Sequence, residues 1–131
     1  MQISKALVSL LFIFCYSVYA RAPNAPRKSE PTAGAMVDCS PGSDVKFSWN
    51  EVPGATSYMI EISACDGATN CENPDDNPSA FAPINHLYPE QIKDNTYAKP
   101  LEHNQEYWWR VWAKRGSVNG RRSGWSNFHC N

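Results

Sequence analysis

Beyond its first twenty residues, the 131-residue sequence contains no long run of large apolar side chains, so it predicts no transmembrane helix. A basic excess is also missing, because 12 lysines and arginines stand against 13 aspartates and glutamates, which argues against nucleic acid as a partner. No Gly-x-Ser-x-Gly or His-Glu-x-x-His motif occurs, and the 3 histidines lie in unrelated segments. The sequence therefore predicts neither an enzyme nor a cofactor site. No acceptor for an N-linked glycan is present, since Asn77 is followed by Pro78.

The first twenty residues have the pattern of a secretory signal peptide. Residues 1–5 carry one positive charge, residues 6–14 are apolar except for Ser9, and residues 18–20 end in a small side chain that suits cleavage. We therefore predict a signal peptide over residues 1–20 and a secreted product, extracellular or periplasmic, that is not inserted in a membrane after cleavage. A lipid anchor on Cys15 is disfavoured because Phe14 occupies the position that requires a small residue.

Four cysteines follow the signal peptide, and an even number in an exported domain indicates two disulfides. Three pairings are formally possible. Cys65 and Cys71 lie close together in a polar segment, which favours the pairs Cys65–Cys71 and Cys39–Cys130. The alternative is a zinc site, but five residues separate Cys65 from Cys71, outside the usual spacing of two to four. We therefore predict disulfides and no metal.

Composition divides the remaining chain into a leader and one domain. Residues 21–31 hold three prolines and three basic residues without a large apolar side chain, so we predict a disordered leader there and a domain over residues 32–131. Within the domain, Asp66–Pro83 is rich in Asp, Asn, Gly and Pro and predicts a long loop. Its carboxylates raise the alternative of a calcium site, but their spacing does not match the EF-hand pattern. Those carboxylates are Asp66, Glu72, Asp75 and Asp76.

The domain itself has the pattern of short β-strands. Apolar and polar residues alternate with a period of two in several segments, and no segment after the signal peptide has a helical period. The apolar members of the three clearest alternations are Val45, Phe47 and Trp49; Tyr58, Ile60 and Ile62; and Tyr107, Trp109, Val111 and Ala113. Residues 116–124 predict a polar loop, residues 125–130 a final strand, and residues 89–93 one helical turn. These patterns favour an all-β sandwich.

Two separated blocks of the sequence resemble the fibronectin type III family. In the first, residues 47–58, Trp49 precedes a Pro-Gly turn and a strand led by Tyr58. In the second, Leu101 is followed six residues later by Tyr107, which is similar to the tyrosine corner, where a tyrosine hydroxyl bonds back to the preceding turn. The resemblance covers about residues 31–130. It implies an antiparallel, immunoglobulin-like β-sandwich of about seven strands that binds or scaffolds.

The chain also departs from the family pattern. His103-Asn104 stands where the family usually has Pro-Gly, although Asn tolerates the left-handed conformation that glycine supplies. Disulfides and a long loop are uncommon in the family. Ser117 replaces the aspartate of the integrin-binding Arg-Gly-Asp that some relatives carry, so that partner is not implied for this chain.

If the family register holds, one outer sheet face combines indole rings with cations. We call it the Trp/Arg face, and it comprises Trp108, Arg110, Trp112, Lys114 and Trp125. One interpretation is structural, because the face resembles the ladder of cytokine-receptor domains, in which arginines stack on tryptophans of a Trp-Ser-x-Trp-Ser motif. The chain keeps half of that motif, Trp125-Ser126. The other interpretation is a platform for an extracellular protein or glycan, because Trp and Arg dominate interface hot spots.

The segment from residue 114 to residue 122 is basic and contains no carboxylate. Its cations are Lys114, Arg115, Arg121 and Arg122. In the family this loop joins the last two strands and is a frequent contact site, so the positive charge of the segment leads to the hypothesis of an acidic partner such as a sulfated glycan or an acidic protein patch. A solvated, flexible loop is the alternative. The sequence thus predicts a secreted binding or adhesion module, with a passive structural or assembly domain as the alternative.

Overall fold

The computed structural model describes residues 21–65, 71–78, 81 and 90–131, so the predicted signal peptide lies outside the described residues. The described residues form nine strands and contain no helix long and apolar enough to cross a membrane. The strands are β1 Lys28–Glu30, β2 Ala35–Val37, β3 Val45–Trp49, β4 Ser57–Ala64, β5 Glu90–Ile92, β6 Thr96–Lys99, β7 Gln105–Arg115, β8 Val118–Arg122 and β9 Ser126–Cys130.

These strands form two sheets, which pack as a sandwich. The smaller sheet has the order β1-β3-β6, and the larger has the order β2-β9-β7-β4-β5, with β8 also paired to β7. Every pairing is antiparallel except that of β2 with β9. Both β8 and β9 pair with β7, at its end and at its beginning respectively, so they follow one another along the same side of β7. The all-β sandwich predicted from the alternations is confirmed.

The core lies between the sheets and is built from the apolar members of the predicted alternations. Phe47 of β3 packs against Trp109 of β7, with ring centroids 5.1 Å apart, and against Phe128 of β9 at 5.8 Å. All three side chains are fully buried. Edge-to-face aromatic pairs of this kind contribute ~0.5–1.5 kcal/mol beyond their buried area. The period of two along β3 and β7 therefore fixes which residues face the core.

The predicted tyrosine corner is present. The Glu102 backbone N–H donates to Tyr107 Oη at 2.9 Å, which ties β7 to the turn before it. Burial raises the pKa of the Tyr107 hydroxyl, so it stays protonated. Asn104 has a φ of 55° and supplies the left-handed residue that this turn requires. A histidine and an asparagine thus replace Pro-Gly without loss of the corner.

Both disulfides form in the predicted pairing. Cys39–Cys130 joins the segment before β3 to the last residue of β9, across a sequence separation of 91. Cys65–Cys71 closes a separation of 6 at the end of β4. The first bridge therefore cross-links almost the whole domain, and the second constrains only the start of the long loop.

The N-terminal segment differs from the prediction of a disordered leader. Lys28–Glu30 pair with β3 as β1, and Pro23 and Pro26 are buried. The reason is that backbone carbonyls of this segment accept hydrogen bonds from the domain. Arg121 N donates to Pro23 O at 3.1 Å, and Asn50 N donates to Arg27 O at 3.0 Å. The proline rings cover apolar surface and bring no backbone donor that needs a partner. The prediction overlooked these long-range contacts.

Two further local predictions were wrong. Val118–Arg122, placed in a polar loop, forms β8 and continues a tight hairpin with β7. Glu90–Ile92, within the predicted helical turn, forms β5 on the edge of the larger sheet. In both cases pairing with a neighbouring strand overrides a local composition that is typical of turns.

Candidate functional site

Arg110 is the centre of a polar network on the Trp/Arg face. Its Nε donates to Glu61 Oε2 at 2.7 Å across the β4–β7 pair, and its Nη1 lies 3.6 Å from Asp75 Oδ1. The guanidinium also stacks on Trp125, with Cζ 4.3 Å from the ring centroid. Trp125 Nε1 in turn donates to the same Asp75 oxygen at 3.1 Å. The arginine is thus held by two carboxylates and one indole, and only 14 % of its side chain is exposed.

Trp112 lies on the same outer face but is covered by its own chain. Arg122, directly opposite it on β8, places its Cζ 4.6 Å from the Trp112 ring centroid. The indole Nε1 donates to Asn119 Oδ1 at 3.4 Å. Only 4 % of Trp112 is exposed. Little of its ring is therefore accessible to a partner.

Trp108 packs toward the disulfide-pinned loop. Its ring meets Phe81 edge-to-face at a centroid distance of 6.4 Å, next to the Cys65–Cys71 bridge. Among the described residues, its buried Nε1 has no hydrogen-bond partner. A satellite cluster of Cys65, Cys71, Phe81 and Trp108 thus fixes the start of the loop to the sheet. The face that the sequence predicted is assembled, but each of its three indoles contacts a side chain of the same domain.

The basic segment forms a rigid β7–β8 hairpin. Arg115 Nε donates to Gly54 O at 3.1 Å, and Gly116 N donates to Thr56 Oγ1 at 2.8 Å, so the hairpin is bound to the turn after β3. Gly54 has a φ of 78°, and a Cβ there would lie 2.0 Å from the Arg115 guanidinium. On the other side, a Cβ on Gly120 would lie 2.6 Å from the Pro23 carbonyl oxygen. Glycine at both positions lets the neighbouring chain approach.

The cations of this hairpin differ in whether they contact another group of the domain. Arg122 stacks on Trp112, and Arg115 donates a hydrogen bond to the Gly54 carbonyl. In contrast, no carboxylate of the described residues pairs with Lys114 or Arg121, and Arg121 is exposed. We call the segment from Lys114 to Arg122 the basic hairpin. It projects positive charge from a fixed backbone.

Lys28 is a site residue that the sequence did not indicate. From β1 it reaches across the open side of the sandwich and donates to Gly124 O and to Ser126 Oγ, the latter at 2.5 Å. Its Nζ also lies 5.2 Å from the Trp109 ring centroid. Burial lowers the pKa of this amine to about 8. The lysine therefore links β1 to the segment where β8 ends and β9 begins. No local sequence pattern predicts this contact.

The described part of the chain was considered for a metal site on the basis of its acidic loop. Within those residues no group of three or more His, Cys, Asp or Glu side chains is placed to hold a metal ion. Of the loop carboxylates considered for calcium, Asp75 bonds Arg110 and Trp125, and Asp66 lies outside the described residues.

Solved structures with a similar fold are fibronectin type III domains. A Fn3-like protein from Clostridium thermocellum is similar with a TM-score of 0.52 and 22% identity, covering 84% of this chain and 95% of that chain. The fn3 domain of human collagen alpha-1(XX) chain has a TM-score of 0.47 and 18% identity, covering 83% and 85%. No family model matches the sequence, and no curated protein matches it. The fold is therefore of the fibronectin type III kind.

Proposed function

We propose that the protein is a secreted, non-enzymatic binding module whose contact surface is the basic hairpin and whose partner is an anionic extracellular ligand. The observation that carries this proposal is the set of four cations on one rigid hairpin without a carboxylate among them. Lys114 and Arg121 keep their charges unpaired among the described residues, and unpaired charge on a fixed surface attracts an oppositely charged partner. The two disulfides are compatible with an exported protein.

The Trp/Arg face has a supporting role in this proposal. Arg122 and Arg110 are both stacked on indoles, and Arg110 is also ion-paired, so these cations help to hold the sheet together. The stack of Arg122 on Trp112 fixes β8 against β7 and thereby fixes the hairpin. The face thus functions as a ladder that stiffens the surface next to it.

Retention on a heparin column tests the proposal, because heparin is a soluble sulfated glycan. We expect the wild type to bind at low salt and to elute as salt screens the charges. Arg121→Gln and Lys114→Gln together should abolish retention, whereas each alone should lower the salt needed for elution. Lys46→Gln is the matched control, since it removes one exposed charge at the far end of β3.

Arg121→Gln and Lys46→Gln each remove one positive charge, so a difference in their retention reports the position of the charge and not the number of charges. If Lys46→Gln lowers retention as much as Arg121→Gln does, the hairpin is not the contact surface. If the wild type does not bind at all at low salt, the proposal is wrong. Arg122 is left unchanged in these variants because its removal would also uncover Trp112.

A passive structural or assembly domain is the second candidate function. It is favoured by the burial of Trp112 and by the contacts of Arg110, which is ion-paired with Glu61 and stacked on Trp125. Together these contacts resemble a cytokine-receptor ladder. A protein of this kind would show no affinity for heparin, yet it would lose stability when the ladder is cut. The two candidates therefore differ in one binding measurement.

A further inference from the structure

A groove of about 480 Å³ lies at the end of the sandwich where β3 begins. It opens where the chain passes from β1 in the smaller sheet to β2 in the larger one. Its apolar lining consists of Pro31, Ala35, Val37 and Val45. Apolar concavities of this size on a protein surface are typical of contact sites.

The rim of this groove is acidic. Three carboxylates and one lysine line it, so its net charge is negative. They are Glu30, Asp38, Asp44 and Lys46. The Ser40 backbone N–H donates to Asp38 Oδ1 at 2.9 Å, and this bond lowers the pKa of that carboxyl, so it is charged at any ordinary pH. A complementary occupant is therefore an apolar side chain flanked by cations.

The tip of the basic hairpin has this composition. Val118 is one of two large hydrophobic side chains that are exposed among the described residues. Across the hairpin it pairs with Arg115, and the unpaired cations Lys114 and Arg121 lie within a few residues of it. The hairpin contains no carboxylate. Its tip is thus a small apolar projection surrounded by positive charge.

The hairpin and the groove lie at opposite ends of the same strand. The hairpin is bonded to Gly54 and Thr56, in the turn that follows Trp49, whereas the groove includes Val45 at the start of β3. Those ends are about 13 Å apart at the rise of a β-strand. The rigid hairpin therefore cannot reach the groove of its own chain. Two complementary surfaces at opposite ends can meet only between copies.

We propose that the protein self-associates head to tail, with the Val118 tip of one copy seated in the groove of the next. This inference rests on the proposed role of the basic hairpin and names its partner as a second copy of the chain. The contact is heterologous, so each copy added to an open chain leaves one tip and one groove free. A single hairpin tip buries little area, so the association is weak, concentration-dependent and sensitive to salt.

Sedimentation velocity over a series of protein concentrations at low salt tests the inference with two variants. The tip variant is Val118→Asp, and the groove variant combines Asp38→Lys with Asp44→Lys. We expect the wild type to form dimers and longer chains with rising concentration, and each variant to stay monomeric. The control combines Glu72→Lys with Asp76→Lys, which makes the same charge change in the loop after Cys71 and should associate as the wild type does.

An equimolar mixture of the two variants gives the sharpest readout. The tip variant has an intact groove and the groove variant has an intact tip, so together they should form a dimer that cannot extend. A wild type that is monomeric throughout, a mixture that stays monomeric, or a control that loses association would each overturn the inference. Circular dichroism and a cooperative thermal transition confirm that every variant is folded.

The groove variant also separates this inference from the proposed function. It keeps the basic hairpin, so it should be retained on heparin although it does not self-associate. Heparin binding by a wild type that never self-associates overturns the present inference alone. Self-association without heparin binding overturns the proposed function alone and leaves a second copy as the partner of the hairpin.

Discussion

Cutting the contact between Arg110 and Trp125 measures whether the Trp/Arg face is a structural ladder. The two variants are Arg110→Met, which keeps a long apolar stem, and Trp125→Leu, which removes the ring. A cation–π contact contributes ~0.5–1 kcal/mol when exposed and ~2 kcal/mol when desolvated. Arg110 is 14% exposed and its Cζ is 4.3 Å from the ring centroid, so we expect a coupling energy of about 1 kcal/mol.

A double-mutant cycle isolates this pairwise energy from the other contacts of each residue. Arg110→Met alone also breaks the ion pairs with Glu61 and Asp75, and Trp125→Leu alone also removes the hydrogen bond from the indole Nε1 to Asp75. The free energy of unfolding in urea, measured for the wild type, both single variants and the double variant, removes these separate costs from the coupling term. The single Arg110 variant should be the more destabilising, because it leaves Glu61 partly buried without its partner.

The control cycle pairs Trp125→Leu with Arg121→Met, because these side chains make no contact with each other in the described structure. Its coupling energy should be near zero. The ladder interpretation would be refuted if the Arg110–Trp125 coupling were no larger than that of the control. In that case the indole would be free to act as a binding platform.

Two other predictions concern stability. Removing Cys39–Cys130 should lower the free energy of unfolding by about 4–5 kcal/mol, and removing Cys65–Cys71 should lower it by about 2 kcal/mol. The reason is that loop-closure entropy grows with the sequence separation, which is 91 for the first bridge and 6 for the second. Urea unfolding of the two Cys→Ala double variants measures both values, and equal losses would contradict this. Lys28 has a pKa of about 8 in the fold against 10.5 ordinarily, so the unfolded chain binds more protons between these values. Its contribution to the free energy of unfolding should therefore rise as pH rises from about 8 to about 10.5. The stability difference between the wild type and Lys28→Met checks this, and a difference that is flat or falls over that range would be inconsistent with it.

Local patterns were sufficient for the sandwich and its core. The alternation along β3, β4 and β7 sets the buried residues, since a strand places successive side chains on opposite faces. The tyrosine corner was predictable from the resemblance to the family, which rests on Leu101 and on Tyr107 six residues later. The disulfide pairing followed from the short distance in sequence between two of four cysteines.

Contacts between distant segments were not predictable in this way. The burial of Trp112 depends on Arg122, which the sequence analysis placed in a loop. The second ion pair of Arg110 depends on Asp75, which lies in the long loop. Composition also gave the wrong prediction for β1, whose three residues have no apolar alternation and nevertheless pair with β3. The sequence therefore indicated which cations and indoles share a surface, but not which of them are already occupied.

The carbonyl of Pro23, bonded to the Arg121 backbone N–H, has a practical consequence for producing the domain. It occupies part of the outer edge of β8, as β1 occupies the outer edge of β3. Unpaired strand edges are templates for aggregation. Recombinant protein that begins at Thr32, where composition alone would place the boundary, would expose both edges and lose the Lys28 contacts. Expression should instead begin at Arg21, so that the chain supplies its own protection.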